Sequence, residues 1–154
     1  MAADSTIDPM YKVRGFLDGN LLMDKDDDVT AATHKVIIDE GGLETLEELF
    51  TLYDVLFIIN YGGGEHERPI DDEPYEITHG VPITIVTIDK TGITGKLMLH
   101  KSQRSLNAWV KANKHLTAAT QIRIRETPPT VRSIRIGGKT VWEATYMIDY
   151  TYYY

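Results

Sequence analysis

The sequence predicts an α+β fold: a mostly antiparallel β-sheet packed against two or three helices in two layers. Three observations lead there. From Val141 to about Tyr152 the chain alternates strictly. Trp142, Ala144, Tyr146, Ile148, Tyr150 and Tyr152 share one side, and Glu143, Thr145, Met147, Asp149 and Thr151 the other. That is the period of a strand with one buried face. Two further stretches carry apolar residues at three- and four-residue steps, the mark of amphipathic helices. The elements run α–α–β–loop–β–α–β–β–β, an order that implies an antiparallel sheet with its helices on one face. The composition, 42% hydrophobic and 25% charged over 154 residues, is that of a globular domain and too apolar for a disordered chain.

Taken in order, residues 1–28 read as poorly structured. A small hairpin is expected where Phe16-Leu17 and Leu21-Leu22-Met23 flank the turn formers Asp18-Gly19-Asn20. Asp28 is placed to cap a helix with Val29, Ala32, Val36 and Ile37 at helical spacing, and Gly41-Gly42 breaks it. A second helix follows. Leu43, Leu46, Leu49, Phe50 and Tyr53 form its apolar side, and Glu44, Glu47 and Glu48 favour the positive end of its dipole. Val55-Leu56-Phe57-Ile58-Ile59 is too short for an independent helix and rich in β-formers, so it reads as a central strand. Residues 62–80, dominated by glycine, proline and acids, read as a long loop. The next strand runs from Pro82 to Ile88, with proline at its first position, where a missing amide donor is tolerable.

A turn over Asp89 to Gly92 leads to Thr94, which caps a helix from about Lys96 to Lys114. Leu99, Leu106, Trp109 and Val110 form its buried stripe, and Lys96, Lys101, Arg104, Lys111 and Lys114 line the rest. Ile122 and Ile124 then alternate with Arg123 and Arg125, and Pro128-Pro129 interrupts. Val131 to Ile136 forms a strand that turns at Gly137-Gly138 into the final, strictly alternating one.

Charge is unevenly spread. The net charge is -7, yet residues 1–92 hold 20 acids against 6 bases, and residues 93–154 hold 3 acids against 10 bases. The two halves either neutralise each other within one domain, or the acidic face of one copy meets the basic face of the next in a heterologous, ring-forming contact. Overall acidity disfavours tight non-specific binding to nucleic acid. No apolar run approaches ~18 residues, so no membrane span is expected. The N-terminus, Met1 to Pro9, lacks the regions of a signal peptide. With no cysteine there are no disulfides, thiolate nucleophiles or cysteine-ligated metals, which fits a reducing compartment.

Few residues suggest catalysis. Asp24, Asp26, Asp27 and Asp28 lack the glycine and distal glutamate of a calcium loop. The histidines His34, His66, His79, His100 and His115 are scattered, with no helical pair four apart. Gly62-Gly63-Gly64 leads into acids that repel phosphate, and no Gly-Lys-Ser or Gly-Lys-Thr follows. Ser5, Ser102, Ser105 and Ser133 lie in no nucleophile elbow. Asp71, Asp72, Glu73 and Glu76, with His66 or His79, are the residues a small metal hydrolase would use. Their expected place in a loop denies them preorganisation. No cofactor is called for. Arg123, Arg125, Arg132 and Arg135 form a candidate basic stripe for DNA phosphates or an acidic neighbour, balanced by Glu126 and Glu143. Tyr150, Tyr152, Tyr153 and Tyr154 at the strand end are candidate contact residues, because tyrosine couples a large apolar area to a polar tip.

Residues 43–154 also show a style of element order. A glutamate-bearing helix leads to a strand and an acidic stretch. A Gly80-Val81-Pro82-Ile83-Thr84-Ile85 strand enters a basic helix with Trp109 at its centre. The chain closes through the Gly137-Gly138 hairpin into a strand containing Met147-Ile148-Asp149-Tyr150. This resembles the tail terminator, tail-completion and neck proteins of tailed viruses of bacteria and archaea, in order and style rather than through one motif. The resemblance implies a small α+β protein of the virion that is made in the host cytoplasm. It would form a ring, commonly a hexamer, that caps the tail tube and joins it to the head–tail connector. DNA would pass through the lumen without sequence-specific binding, and there would be no catalytic residues. On that reading residues 1–42 are an N-terminal elaboration of the ring-forming domain, and loop 62–80 projects to the lumen or a neighbouring ring. The rival readings are the metal hydrolase and a nucleic-acid-binding module using the arginine-rich sheet face.

Overall fold

The computed structural model describes residues 9–17, 34–38, 46–60, 65–69, 75–89, 94–117, 120–125, 130–136 and 138–153. These form α1 (Pro9–Leu17), β1 (His34–Ile38), α2 (Leu46–Leu52), β2 (Val55–Ile59), β3 (Glu65–Pro69) and β4 (Tyr75–Ile88). There follow α3 (Gly95–Ala112), β5 (His115–Thr117), β6 (Thr120–Ile124), β7 (Val131–Ile136) and β8 (Lys139–Tyr153). The fold is α+β. The sheet is mostly antiparallel, with β1–β2 its one parallel pair among the described residues.

Two long strands organise the sheet. β4 and β8 pair antiparallel from Glu76 opposite Tyr153 to Ile88 opposite Val141. Along the other side of β4, β2 lies beside Ile83–Thr87 and β3 beside Tyr75–His79, end to end. Along the other side of β8, β7 lies beside 139–144 and β6 beside 148–152. β1 adds to β2, and β5 to β6.

Pro82 sits inside β4 rather than at its start. Its carbonyl accepts from the Asn60 amide at 2.9 Å, just past the end of β2. The missing donor therefore faces the gap between β2 and β3, where no ladder bond is lost.

Alternation sorts the apolar residues onto two faces. On one, Val55, Phe57, Ile59, Ile83, Ile85, Ala144, Tyr146 and Ile148 lie under Val13 and Leu17 of α1 and Met98, Leu99, Leu106, Trp109 and Val110 of α3. On the other, a smaller cluster joins Leu49 and Phe50 of α2 to Leu56, Val86, Ile88 and Val141 at one end of the sheet. α1 and β1, which precede residue 43, share the main core with β2, β4, α3, β6 and β8. The predicted stripe of α3 is buried as expected. Lys101, assigned to its polar side, is buried too, because it lies three residues from Met98 on the flank of the stripe.

The start of α3 is fixed by a close contact. The Asp89 carboxylate accepts from the Gly95 amide at 2.6 Å and from the Trp142 indole at 3.2 Å, and Thr87 donates to the Gly95 carbonyl at 2.6 Å. Thr94 stands at the N-cap without a side-chain capping bond, so Asp89 does the work assigned to it. At the other hairpin, Gly138 has φ of 79°, the positive value that the two-residue turn between Ile136 and Lys139 requires.

Three expectations are corrected. Phe16 and Leu17 end a helix instead of opening a hairpin, and Leu17 is fully buried. His34–Ile38, expected in a helix, is a strand. Val36 and Ile38 enter the main core and Ile37 packs against the smaller one, and a run apolar on both sides looks alike in either structure until β2 supplies its partner. Residues 62–80, expected as a loop, contain β3 and the start of β4. There the polar composition masked an alternation in which Ile77 and Val81 are buried on one side. The remainder of the expected hairpin, the Asp28 cap and residues 70–74 lie outside the described residues.

Burial raises the phenol pKa of Tyr146, against hydrogen bonds from Gln103 and Asn107 that lower it, and raises that of Tyr150, with Tyr152 adding to the rise. A raised folded-state pKa leaves stability intact below the unfolded value of about 10 and removes it as pH climbs past that value. We expect two tyrosines to ionise late in an alkaline absorbance titration, and the melting temperature to fall only above about pH 10. Tyr146→Phe and Tyr150→Phe should flatten that fall.

Candidate functional site

The open part of the sheet face beyond α2 is polar, and its order is set by cross-strand partners. Thr78 faces Thr151 and Thr84 faces Thr145, each pair linked through the hydroxyls at 2.9 and 3.0 Å. Asp149 of β8 lies among them, its side chain only 9% exposed. It is held by Arg125, whose Nη2 donates to Oδ1 at 2.6 Å and whose Nε donates to Oδ2 at 3.4 Å. The hydrogen bond from Arg125 to Asp149 raises the guanidinium pKa. Arg123 reaches the same carboxylate at 3.9 Å with its side chain 80% exposed. Glu76, Thr78, Gln121, Arg123, Asp149 and Thr151 line a depression of about 180 Å³ there.

The four predicted arginines are not one stripe. Arg123 and Arg125 converge on Asp149 at the β6 end. Arg132 of β7 bonds Glu143, its Nε donating at 2.9 Å. Arg135 donates to the Gly138 carbonyl at 2.8 Å, within its own hairpin. The expected balancing by Glu143 holds for Arg132. The alternation of β8 places Asp149 outward, and the β6–β8 register, which sets it opposite Arg123, brings it the pairing. An exposed pair such as Arg132–Glu143 contributes about 0–1 kcal/mol.

The tyrosines are placed differently from one another. Tyr150 is buried in the subunit's own core. Tyr152 is half-buried, and its ring stacks on His79 at 5.7 Å and 12°. Tyr153 ends β8 opposite Glu76, and Tyr154 lies outside the described residues.

On the helix-covered face a second feature appears. The last turns of α3 and strand β6 leave a groove of about 430 Å³ lined by Asn107, Val110, Lys111, Lys114, Ile122, Arg123 and Ile124. Val110 and Ile122 are buried at its floor, whereas Lys111, Lys114 and Arg123 are exposed. No carboxylate lines it.

Of the residues weighed for hydrolysis, the described histidines take different places. His66 pairs in register with Thr78, and His79 with Glu65, so the two histidine positions fall on opposite faces of β3 and β4. Asp71, Asp72 and Glu73 lie outside the described residues. Among the described residues no group of three or more His, Asp or Glu stands close enough to hold a metal ion. No helix there is long and apolar enough to cross a membrane. Set beside known proteins, the chain matches no family model and no curated protein.

Proposed function

We propose that this chain is a structural protein of a tailed virion that assembles into a homo-oligomeric ring, commonly a hexamer in the group it resembles. The ring sits at the end of the tail tube or at the head–tail junction. One observation carries the reading. The sheet is divided by chain order: β1 to β4 come from residues 34–88 and β5 to β8 from residues 115–153, and the two sets meet along β4–β8. The described strands of the sequence's acidic half thus lie on one side of the β4–β8 seam and those of its basic half on the other. Opposite charge on opposite sides favours a head-to-tail contact, and a head-to-tail contact repeated by rotation closes a ring.

The other features agree. Arg125 and Arg132 are engaged by Asp149 and Glu143, which suits a surface past which DNA slides without base reading. The tube protein and the connector would bind the ring's two rims. The reading assigns no catalytic role and no cofactor.

Native mass spectrometry and negative-stain imaging test it. The expected result is rings of one stoichiometry at low salt that dissociate as salt screens the contact. A monomer at high concentration, unchanged by added tail tube protein, overturns it.

A further inference from the structure

We infer that the groove between α3 and β6 receives a second copy of this chain, entering with its residues 21–28. The inference rests on the ring reading and names the contact within it. The groove pairs an apolar floor, Val110, Ile122 and Ile124, with a rim of Lys111, Lys114 and Arg123. Its ligand must therefore carry aliphatic groups beside several negative charges. Residues 21–28 have that order: Leu21-Leu22-Met23 followed by Asp24, Asp26, Asp27 and Asp28, with Lys25 the one base among them. Aliphatic side chains on the floor remove apolar area from water, and the aspartates meet Lys111 and Lys114 in a groove lined by no carboxylate, with Arg123 shared with Asp149.

Geometry favours another copy over the same one. Residues 21–28 lie in the chain between α1 and β1. β1 lies on the side of the sheet opposite β6, since β2, β4 and β8 separate the two, and α1 packs against β1 and β4. Copies placed side by side would bring the acidic side of one against the groove of the next.

The test is a charge swap read by native mass spectrometry at low salt. Lys111→Glu/Lys114→Glu alters two exposed positions, and Asp26→Lys/Asp27→Lys/Asp28→Lys alters the proposed guest. Each variant alone should lose rings by about tenfold or more, because attraction becomes repulsion. Mixed one to one, they should regain rings with the variants alternating, since every contact is again of opposite sign. An unchanged melting temperature shows that the single variants remain folded. If the Lys111→Glu/Lys114→Glu protein forms rings as well as the parent, the groove contact is wrong while the ring reading stands. If the parent itself forms no ring, the ring reading fails and takes this contact with it. Carbodiimide cross-links from Lys111 or Lys114 to Asp26–Asp28 confined to the monomer at high dilution would assign the groove to the chain's own segment and overturn the inference.

Discussion

Phe57→Ala is expected to remove about 3–5 kcal/mol of stability, a large share of the roughly 5–15 kcal/mol that holds a domain of this size together. Phe57 is completely buried in β2. It stands opposite Val36 of β1 and Ile85 of β4, with its ring edge-on to His34 at 5.9 Å. Truncation leaves a void beneath both helices that a close-packed interior refills only in part. The measurement is urea unfolding. The midpoint should fall with the slope unchanged, which marks lost stability rather than a changed unfolded state. A midpoint equal to the parent's would mean that Phe57 is not packed in the main core.

Gly95→Val is expected to cost about 1–3 kcal/mol or more, by overpacking rather than by a cavity. A Cβ at Gly95 would stand 2.7 Å from Cδ1 of Trp142 and 2.9 Å from the Ile88 carbonyl carbon, closer than carbon atoms approach. The Ile88 backbone belongs to β4 and cannot swing aside, so the start of α3 must move. That disturbs the bonds from Gly95 and Trp142 to Asp89. The effect should appear in thermal melting and in the emission of Trp142. Gly15→Ala is the contrast, because nothing lies within 4 Å of its added Cβ. In the interior of α1 alanine should be favoured over glycine by about 0.5–1 kcal/mol. α3 also forms one wall of the basic groove, so if the proposed ring forms, a shifted α3 should weaken it along with stability.

The charge division has a consequence for assembly that composition by itself does not carry. A net charge of -7 describes a molecule that repels its own copies. In the proposed ring, strands of the acidic half on one side of the β4–β8 seam and strands of the basic half on the other would turn that mean repulsion into a directional attraction. Three of the four arginines, Arg123, Arg125 and Arg132, are engaged by carboxylates of β8, their immediate neighbour in the sheet.

What the sequence determined by itself was local. The twelve-residue alternation of β8, the Gly137-Gly138 turn and the stripe of Leu99, Leu106, Trp109 and Val110 are periodic signals, and each holds in the fold. The apolar run of β2 was legible for the same reason. Partnership was decided only in three dimensions. His34–Ile38 becomes a strand because β2 lies parallel beside it, and Glu65–Pro69 because β4 offers its free edge. A strand's hydrogen bonds go to residues distant in the chain, so no local pattern encodes them. Buried Lys101, the capping role of Asp89 and the convergence of Arg123 and Arg125 on Asp149 have the same origin. In each, the environment of a polar group is set by what the fold brings to it, and composition records only that the group exists.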